Sequence, residues 1–144
     1  TTSRFAGLSL GGNEGSPSAS SVCAWQSGYP LRVSFANGKP EYDAERYDAA
    51  RMLAAKESDL LVWLASFGDD LVPPDTDIPT VVLGTPGLRL NRKPKVFIPV
   101  GTPGIDHVGR IIRVDNVVSL PLRKLRQSKL PSAVDVLASI EAAL

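Results

Sequence analysis

Cysteine, histidine and aromatic residues are scarce in this sequence of 144 residues. Its single thiol, Cys23, excludes an internal disulfide and any zinc or iron–sulfur site built from clustered thiolates of this chain, and it favours a reducing cytoplasm. Charge of one sign is also lacking, because 16 lysines and arginines stand against 15 aspartates and glutamates. No net field would therefore draw the chain to nucleic acid or to an anionic membrane, and neither is expected as a partner.

Long hydrophobic runs are missing as well. The longest, over residues 60–67, is far shorter than a bilayer requires, and no charged and then apolar leader opens the chain. We therefore expect neither a secreted nor a membrane-spanning protein. The composition, 43% hydrophobic and 22% charged, is ordinary for a globular protein, and the length suits one α/β domain over residues 1–144. The start at Thr1 instead of methionine suggests a fragment of a longer subunit or a processed chain.

Helical spacing of apolar residues and capping residues at the ends predict three helices, over residues 17–27, 43–57 and 134–144. A turn-rich loop over residues 11–18 leads into the first helix, with Ser16 as its N-cap and Gly28 as its stop. Asp43 is placed to cap the second helix. The third is an amphipathic closing helix that follows Ser132.

Apolar runs of strand length predict the sheet. Residues 60–65 form an unbroken apolar run, typical of a parallel strand with helices over both faces. Residues 80–83 and 96–100 are similar units, each preceded by a proline-containing turn and followed by glycine. The links are too short for full crossover helices, so residues 68–79 are expected to form an irregular turn.

Two further segments have an extended pattern. Apolar and polar residues alternate over 31–35, which predicts a short half-buried strand or extended segment, and a β-hairpin is expected around Asp115 and Asn116. The fold class expected is therefore α/β. It has a Rossmann-like, open and mainly parallel sheet flanked by helices, with a β-hairpin near the C-terminal end.

Two loops of similar sequence suggest a binding site. Gly84-Thr85-Pro86-Gly87 and Gly101-Thr102-Pro103-Gly104 each follow a predicted strand, and the carboxyl ends of parallel strands are where open α/β folds bind ligands. The cofactor-binding candidates are therefore Gly84, Thr85, Gly101 and Thr102. Neither loop has the full Gly-x-Gly-x-x-Gly or P-loop spacing, so a purely structural turn is the favoured interpretation.

No catalytic or metal-binding residue is expected in the chain. Asp106 beside His107 could suggest a metal ligand or a general base, but no second histidine or cysteine accompanies them at ligand spacing. A Gly-x-Ser-x-Gly elbow is also missing, so structural hydrogen bonding is favoured for the pair. Cys23 lies in an apolar predicted helix, where cysteine usually acts as a small hydrophobic residue.

Two groups of residues could meet a partner protein. A basic segment could face an acidic surface, although a solvated face is the more common role of such a segment. Four aromatic residues could form an exposed interface or could equally pack in the core. The basic residues are Arg123, Lys124, Arg126 and Lys129, and the aromatic residues are Trp25, Tyr29, Tyr42 and Tyr47.

Several stretches of the chain resemble the B subunit of formylmethanofuran dehydrogenase. The resemblance runs nearly end to end and is carried by residues 22–30 (Val-Cys-Ala-Trp-Gln-Ser-Gly-Tyr-Pro), Tyr42, residues 96–101 and residues 115–118. Within that family the chain looks closer to the bacterial relative, the B subunit of the formyltransferase/hydrolase complex, through residues 101–107 and 120–123.

The resemblance implies membership of the molybdopterin oxidoreductase superfamily and a place in the carboxyl-terminal α/β part of the subunit. In redox members this part helps to bind a pterin guanine dinucleotide, through a Gly-x-Asp-Pro-like loop after its first strand and an acidic residue after the next. This chain has Ser66-Phe67-Gly68-Asp69-Asp70 and Leu83-Gly84-Thr85 at those places, and both departures count against dinucleotide binding.

The function implied is that of a scaffold. In the complex, formyl groups pass from tetrahydromethanopterin to a methanofuran-type carrier and are hydrolysed to formate, and other subunits perform both reactions. The chain is then a non-catalytic domain without a cofactor, whose partners are the other subunits. The alternative is a fragment of a molybdenum or tungsten formylmethanofuran dehydrogenase that helps to bind molybdopterin or tungstopterin guanine dinucleotide. A third hypothesis, from the residues alone, is a free-standing nucleotide-binding α/β module.

Overall fold

The computed structural model describes residues 15–144, so residues 11–14 of the predicted turn-rich loop lie outside it. The elements are α1 (Ser16–Ser27), β1 (Val33–Ser34), β2 (Glu41–Tyr42), α2 (Ala49–Ala54), β3 (Leu61–Ala65), β4 (Thr80–Gly84), β5 (Val96–Pro99), β6 (Gly109–Ile112), β7 (Ser119–Leu122) and α3 (Ala133–Glu141). They form a parallel three-stranded sheet flanked by helices and a separate hairpin, so the predicted α/β fold class is confirmed. No helix within residues 15–144 is long and apolar enough to cross a membrane.

The parallel sheet has the order β3-β4-β5, and its strands are the three apolar runs predicted from the sequence. Its register places Trp63, Val82 and Phe97 side by side, and these residues pack with Leu88 and Leu71 in a cluster on one face. Val82 has no exposed surface, and burial of such side chains is the main force that holds the layers together. The link between β3 and β4 contributes Leu71 to this cluster and has the loop character predicted for residues 68–79.

The opposite face of the sheet is less well covered. The next row in the register is Val62, Val81 and Val96, and the row on the other side is Leu64, Leu83 and Ile98. Leu83 is fully buried at the centre of the sheet, but Val62 and Leu64 on the edge strand are 53% and 48% exposed. Alternate side chains of β3 therefore lie in two environments: Trp63 packs in the cluster on one face, and Val62 and Leu64 are half-exposed on the other.

Helix α1 agrees with its predicted range, but it begins differently. Gly15, with φ of 87°, is the N-cap, and no side chain caps this end, whereas the sequence predicts Ser16 in that role. Pro17 is buried inside the first turn, where its missing N–H costs nothing. Gly28 ends the helix with φ of 86°, as predicted, since glycine adopts this conformation without strain.

The second helix is much shorter than the predicted range 43–57. Asp43 does accept main-chain N–H bonds, one of 2.8 Å from Arg46, but these close a separate turn. Asp48 then adopts an extended backbone with ψ of 124° and caps α2 by accepting the N–H of Arg51 at 3.1 Å. Two capping aspartates thus divide one periodic segment into a turn and a short helix.

The strand predicted over residues 31–35 is reduced to the two residues of β1, which pair with β2 in antiparallel fashion. Leu31 and Arg32 have φ of 52° and 50°, in the left-handed region, so they cannot continue the strand. Phe35 is 61% exposed. The predicted half-buried strand is therefore present only at Val33 and Ser34, and the alternation over residues 31–35 overestimates its length.

The predicted hairpin and closing helix are confirmed. Strands β6 and β7 pair in antiparallel fashion, and Asn116 takes a φ of 58° in the turn between them. Helix α3 starts with a capping box, in which the Ser132 hydroxyl accepts the N–H of Asp135 and the Asp135 carboxylate accepts the N–H of Ser132. Helix α1 is tied to the hairpin, because the Ser18 hydroxyl accepts the N–H of Ile112 at 2.8 Å.

Candidate functional site

The structure brings the four predicted site residues to the same edge of the sheet. Strand β4 ends at Gly84 beside Pro99 of β5, and Val100 donates its N–H to the Gly84 carbonyl at 2.9 Å. Thr85 donates its N–H to the carbonyl of Ala65, at the end of β3, at 3.1 Å. The carboxyl ends of the three strands therefore form one rim, from which the two glycine loops leave.

The first loop is closed on itself. Thr85 is buried, and its hydroxyl donates to the carboxylate of Asp69 in the link after β3. The N–H of Leu88 donates a hydrogen bond of 3.1 Å to the Thr85 carbonyl. A Cβ atom on Gly84 would lie 2.6 Å from the Leu88 side chain, so glycine is needed here for packing within the loop.

The second loop is held by a buried carboxylate. Asp106 is 4% exposed, and it accepts the N–H of Thr102 at 2.8 Å and the guanidinium Nε–H of Arg126 at 2.6 Å. These two donors, Arg126 first, lower the pKa of the Asp106 carboxyl group from its ordinary value of 3.8 to about 2. Asp106 therefore stays ionised and joins the loop to the basic segment that follows the hairpin.

His107 is a structural residue in this arrangement. Its Nε2 lies 3.2 Å from the Gly101 carbonyl oxygen, and its Nδ1 lies 2.7 Å from that of Val108. Within residues 15–144, no three histidine, cysteine, aspartate or glutamate side chains lie close enough together to bind a metal ion. Asp106 and His107 thus both contact main-chain groups of the second loop or of the residue next to it.

Several main-chain N–H groups of the rim already have acceptors within the chain. Phosphate groups bind to main-chain N–H groups that have no other acceptor, but the N–H of Gly101 already donates to Pro131 at 2.9 Å. Those of Thr85 and Thr102 are used in the contacts described above. The Asp69 carboxylate against the first loop would also repel phosphate, whereas the charge of Asp106 is balanced by Arg126. Binding of some other ligand by Gly84, Thr85, Gly101 and Thr102 stays a prediction.

A second concave feature is not predicted by the sequence. A groove of about 650 Å³ runs between α1 and the start of α3, and we call it the α1–α3 groove. Its lining is mainly apolar and includes Val22, Cys23, Phe35, Leu64 and Val134. Cys23 is half-buried there, with its Sγ 3.6 Å from the Ser27 hydroxyl oxygen. The only signal for the groove in the sequence is the apolar character of these separate residues.

Three of the four aromatic residues that the sequence singles out lie on the surface, and one residue of the basic segment contacts the rim. Trp25 is 68% exposed, and the rings of Tyr29 and Tyr42 stack with centroids 5.3 Å apart on the surface, so these residues do not form a core. Arg126 binds Asp106, whereas the side chain of Lys124 lies on the surface. The basic segment is therefore partly structural.

Replacing Gly101 by alanine is expected to destabilise the chain by about 1–3 kcal/mol, the usual cost of overpacking a well-packed site. The added Cβ would lie 2.9 Å from the Cβ of Asp106, which cannot move without losing its bonds to Thr102 and Arg126. Urea unfolding of the purified chain measures the difference. A loss of less than about 0.5 kcal/mol, the usual range for substitutions away from packed sites, would show that the close contact with Asp106 is relieved without cost.

Comparison with known proteins identifies relatives. No protein-family model matches the chain. It is 33% identical over 105 residues to the B subunit of the formyltransferase/hydrolase complex of Methylorubrum extorquens, a match that covers 72% of this chain and 29% of that subunit. It is 28% identical over 109 residues to the B subunit of the tungsten-containing formylmethanofuran dehydrogenase 2 of Methanocaldococcus jannaschii, which covers 72% of this chain and 25% of the relative.

A solved structure extends this likeness. The chain superposes with a TM-score of 0.78 and 28% identity on a chain of the Methylorubrum extorquens formyltransferase/hydrolase complex, crystallised with methylofuran. The superposition covers 93% of this chain and 38% of that one. In the two sequence matches above, the chain spans less than a third of the length of each curated relative. By sequence and by structure, this chain is homologous to the B subunit of the formyltransferase/hydrolase complex and, more distantly, to the B subunit of formylmethanofuran dehydrogenase.

Proposed function

We propose that this chain is a non-catalytic structural domain, from the carboxyl-terminal part of a B subunit, in a cytoplasmic complex of the formyltransferase/hydrolase type. The complex would act in tetrahydromethanopterin-linked one-carbon metabolism and convert a carrier-bound formyl group to formate. The chain would hold other subunits in place and would bind neither nucleic acid nor a membrane. Residues 1–144 would act as a single domain within its subunit, which we call the parent subunit.

The observation that carries this proposal is the superposition on the crystallised complex, which extends over 93% of the chain. The polar residues of the strand-end rim support it, because they are used to hold the chain's own loops. Thr85 and Thr102 each contact an aspartate of the chain, and Asp106 is neutralised by Arg126. Such a rim is built for rigidity, as a scaffold requires.

The dehydrogenase alternative rests on one observation, the 28% identity with a subunit of a tungsten-containing formylmethanofuran dehydrogenase. It requires a domain that helps to hold a pterin guanine dinucleotide. The carboxylate of Asp69, which accepts the Thr85 hydroxyl of the first glycine loop, argues against that role. The scaffold is therefore the function that the geometry supports better.

Purification of the tagged chain from its native host tests the proposal. We expect formyltransferase and formylhydrolase subunits to co-purify with the chain in a fixed ratio, as mass spectrometry and size-exclusion chromatography measure. The assembly should convert formyl-tetrahydromethanopterin to formate, and the chain alone should have no such activity.

Two results would decide against the scaffold. Co-purification with iron–sulfur subunits and stoichiometric molybdenum or tungsten, measured by elemental analysis, would favour the dehydrogenase. Formate production by the chain alone would also overturn the proposal.

A further inference from the structure

One face of the parallel sheet is apolar and exposed along its edge strand. Val62 and Leu64 of β3 are 53% and 48% exposed, and Val96 of β5, in the same row as Val62, is 42% exposed. We call these three residues the open face. No helix within residues 15–144 covers them, although α1 and α3 lie close to Leu64.

The open face continues into the α1–α3 groove, because Leu64 belongs to both. Other apolar side chains of the groove are also exposed, with Phe35 at 61% and Val134 at 73%. The two features therefore form one apolar surface, which extends from the edge of the sheet to the space between two helices. A surface of this kind on a parallel sheet is unusual, since such sheets are normally covered on both faces.

We propose that this surface is the docking site of an amphipathic helix from the portion of the parent subunit that this chain does not span. This inference rests on the proposed function. The homologous subunit supplies the reason for this occupant, because this chain corresponds to only 38% of the crystallised one. A helix fits the surface because α/β folds cover the apolar face of a sheet with helices, whose apolar stripe packs on the side chains of the strands. Pairing through main-chain hydrogen bonds occurs at the edge of a sheet and not on its face.

Photo-crosslinking in the native assembly identifies the occupant. A photoreactive amino acid is placed at Val62 of the tagged full chain, and at Val117 as a control, since Val117 is 70% exposed but is not among the residues that line the α1–α3 groove. We expect Val62 to crosslink to a peptide from the rest of the parent subunit, and Val117 not to do so. Crosslinks to a second copy of this chain, to the transferase or hydrolase, or to nothing would overturn the inference.

A charge on the open face gives a second, independent measurement. The chain and the rest of the parent subunit are prepared as separate polypeptides, and the dissociation constant of their complex is measured. The Val62→Glu variant should bind about 100-fold more weakly, because the carboxylate would be buried without a partner. Val117→Glu should bind normally. Circular dichroism and thermal unfolding should show both variants folded, since both positions are exposed.

The two proposals fail in different ways. If the wild-type chain does not co-purify with transferase and hydrolase subunits, the proposed function is wrong. If the wild-type chain co-purifies and the Val62→Glu variant binds the rest of the parent subunit as strongly as Val117→Glu, the docking site is wrong and the proposed function stands.

Discussion

Replacing Asp106 by asparagine is expected to cause the largest loss of stability among single polar substitutions in this chain. The carboxylate is 4% exposed and accepts two hydrogen bonds, from the Thr102 N–H and from Arg126. Asparagine has one acceptor oxygen, so its amide nitrogen would face one of these donors. A donor left without an acceptor at the buried Asp106 site is unfavourable, although the Arg126 side chain, 64% exposed, stays solvated. The variant should unfold at a clearly lower temperature and urea concentration.

The pKa of Asp106 also predicts how the free energy of unfolding changes with pH. The pKa of Asp106 is about 2 in the folded chain and near 3.8 when unperturbed, so the unfolded state binds the proton more tightly. The stabilisation from ionised Asp106 is therefore complete above about pH 4 and is lost as the pH falls towards 2. The free energy of unfolding of the wild-type chain should fall more steeply between about pH 4 and 2 than that of Asp106→Asn.

Urea unfolding at a series of pH values measures both effects. Asp77→Asn is the matched control, because Asp77 also binds an arginine, Arg92, at 2.6 Å, but with 83% of its side chain exposed. Exposed ion pairs contribute little, so this control should unfold almost as the wild-type chain does. Equal losses in the two variants would show that the buried carboxylate does not hold the second loop.

Much of the fold could be predicted because its signals are local. The apolar runs at β3, β4 and β5, the last two flanked by proline and glycine, indicate parallel strands from a few neighbouring residues. Gly28 and Ser132 mark helix ends by their own conformational preferences. The errors are local as well, since capping by Asp48 competes with helical periodicity in α2.

The contacts of the rim could not be predicted in the same way. The sequence places Gly84, Thr85, Gly101 and Thr102 correctly at the strand ends. Asp106 is only four residues from Thr102, but the other contacts that hold the two loops come from distant parts of the chain. Asp106 and Arg126 are 20 positions apart, and Asp69 and Thr85 are 16 apart. Which carboxylate meets which loop depends on how the links fold over the sheet. Tertiary packing therefore decides whether such a loop binds a ligand or binds its own chain.

Leu83→Ala is expected to destabilise the chain by about 2–5 kcal/mol, the range for truncation of a fully buried leucine. Leu83 has no exposed surface and lies in the central strand, so the cavity left by its side chain would be enclosed. Because small proteins have only about 5–15 kcal/mol of stability, this is one of the two largest effects expected here. Urea unfolding of the purified chain measures it.

Leu64→Ala is the matched control and also connects the fold to the docking site. Leu64 lies beside Leu83 in the register and has the same side chain, but it is 48% exposed. Its truncation should cost the separate chain only about 1 kcal/mol, since roughly half as much surface leaves water on folding. In the assembly, where the proposed helix covers Leu64, the same substitution should also weaken binding of the rest of the parent subunit. A loss in the separate chain as large as that of Leu83→Ala would mean that the chain itself already buries Leu64, and the open face would not exist.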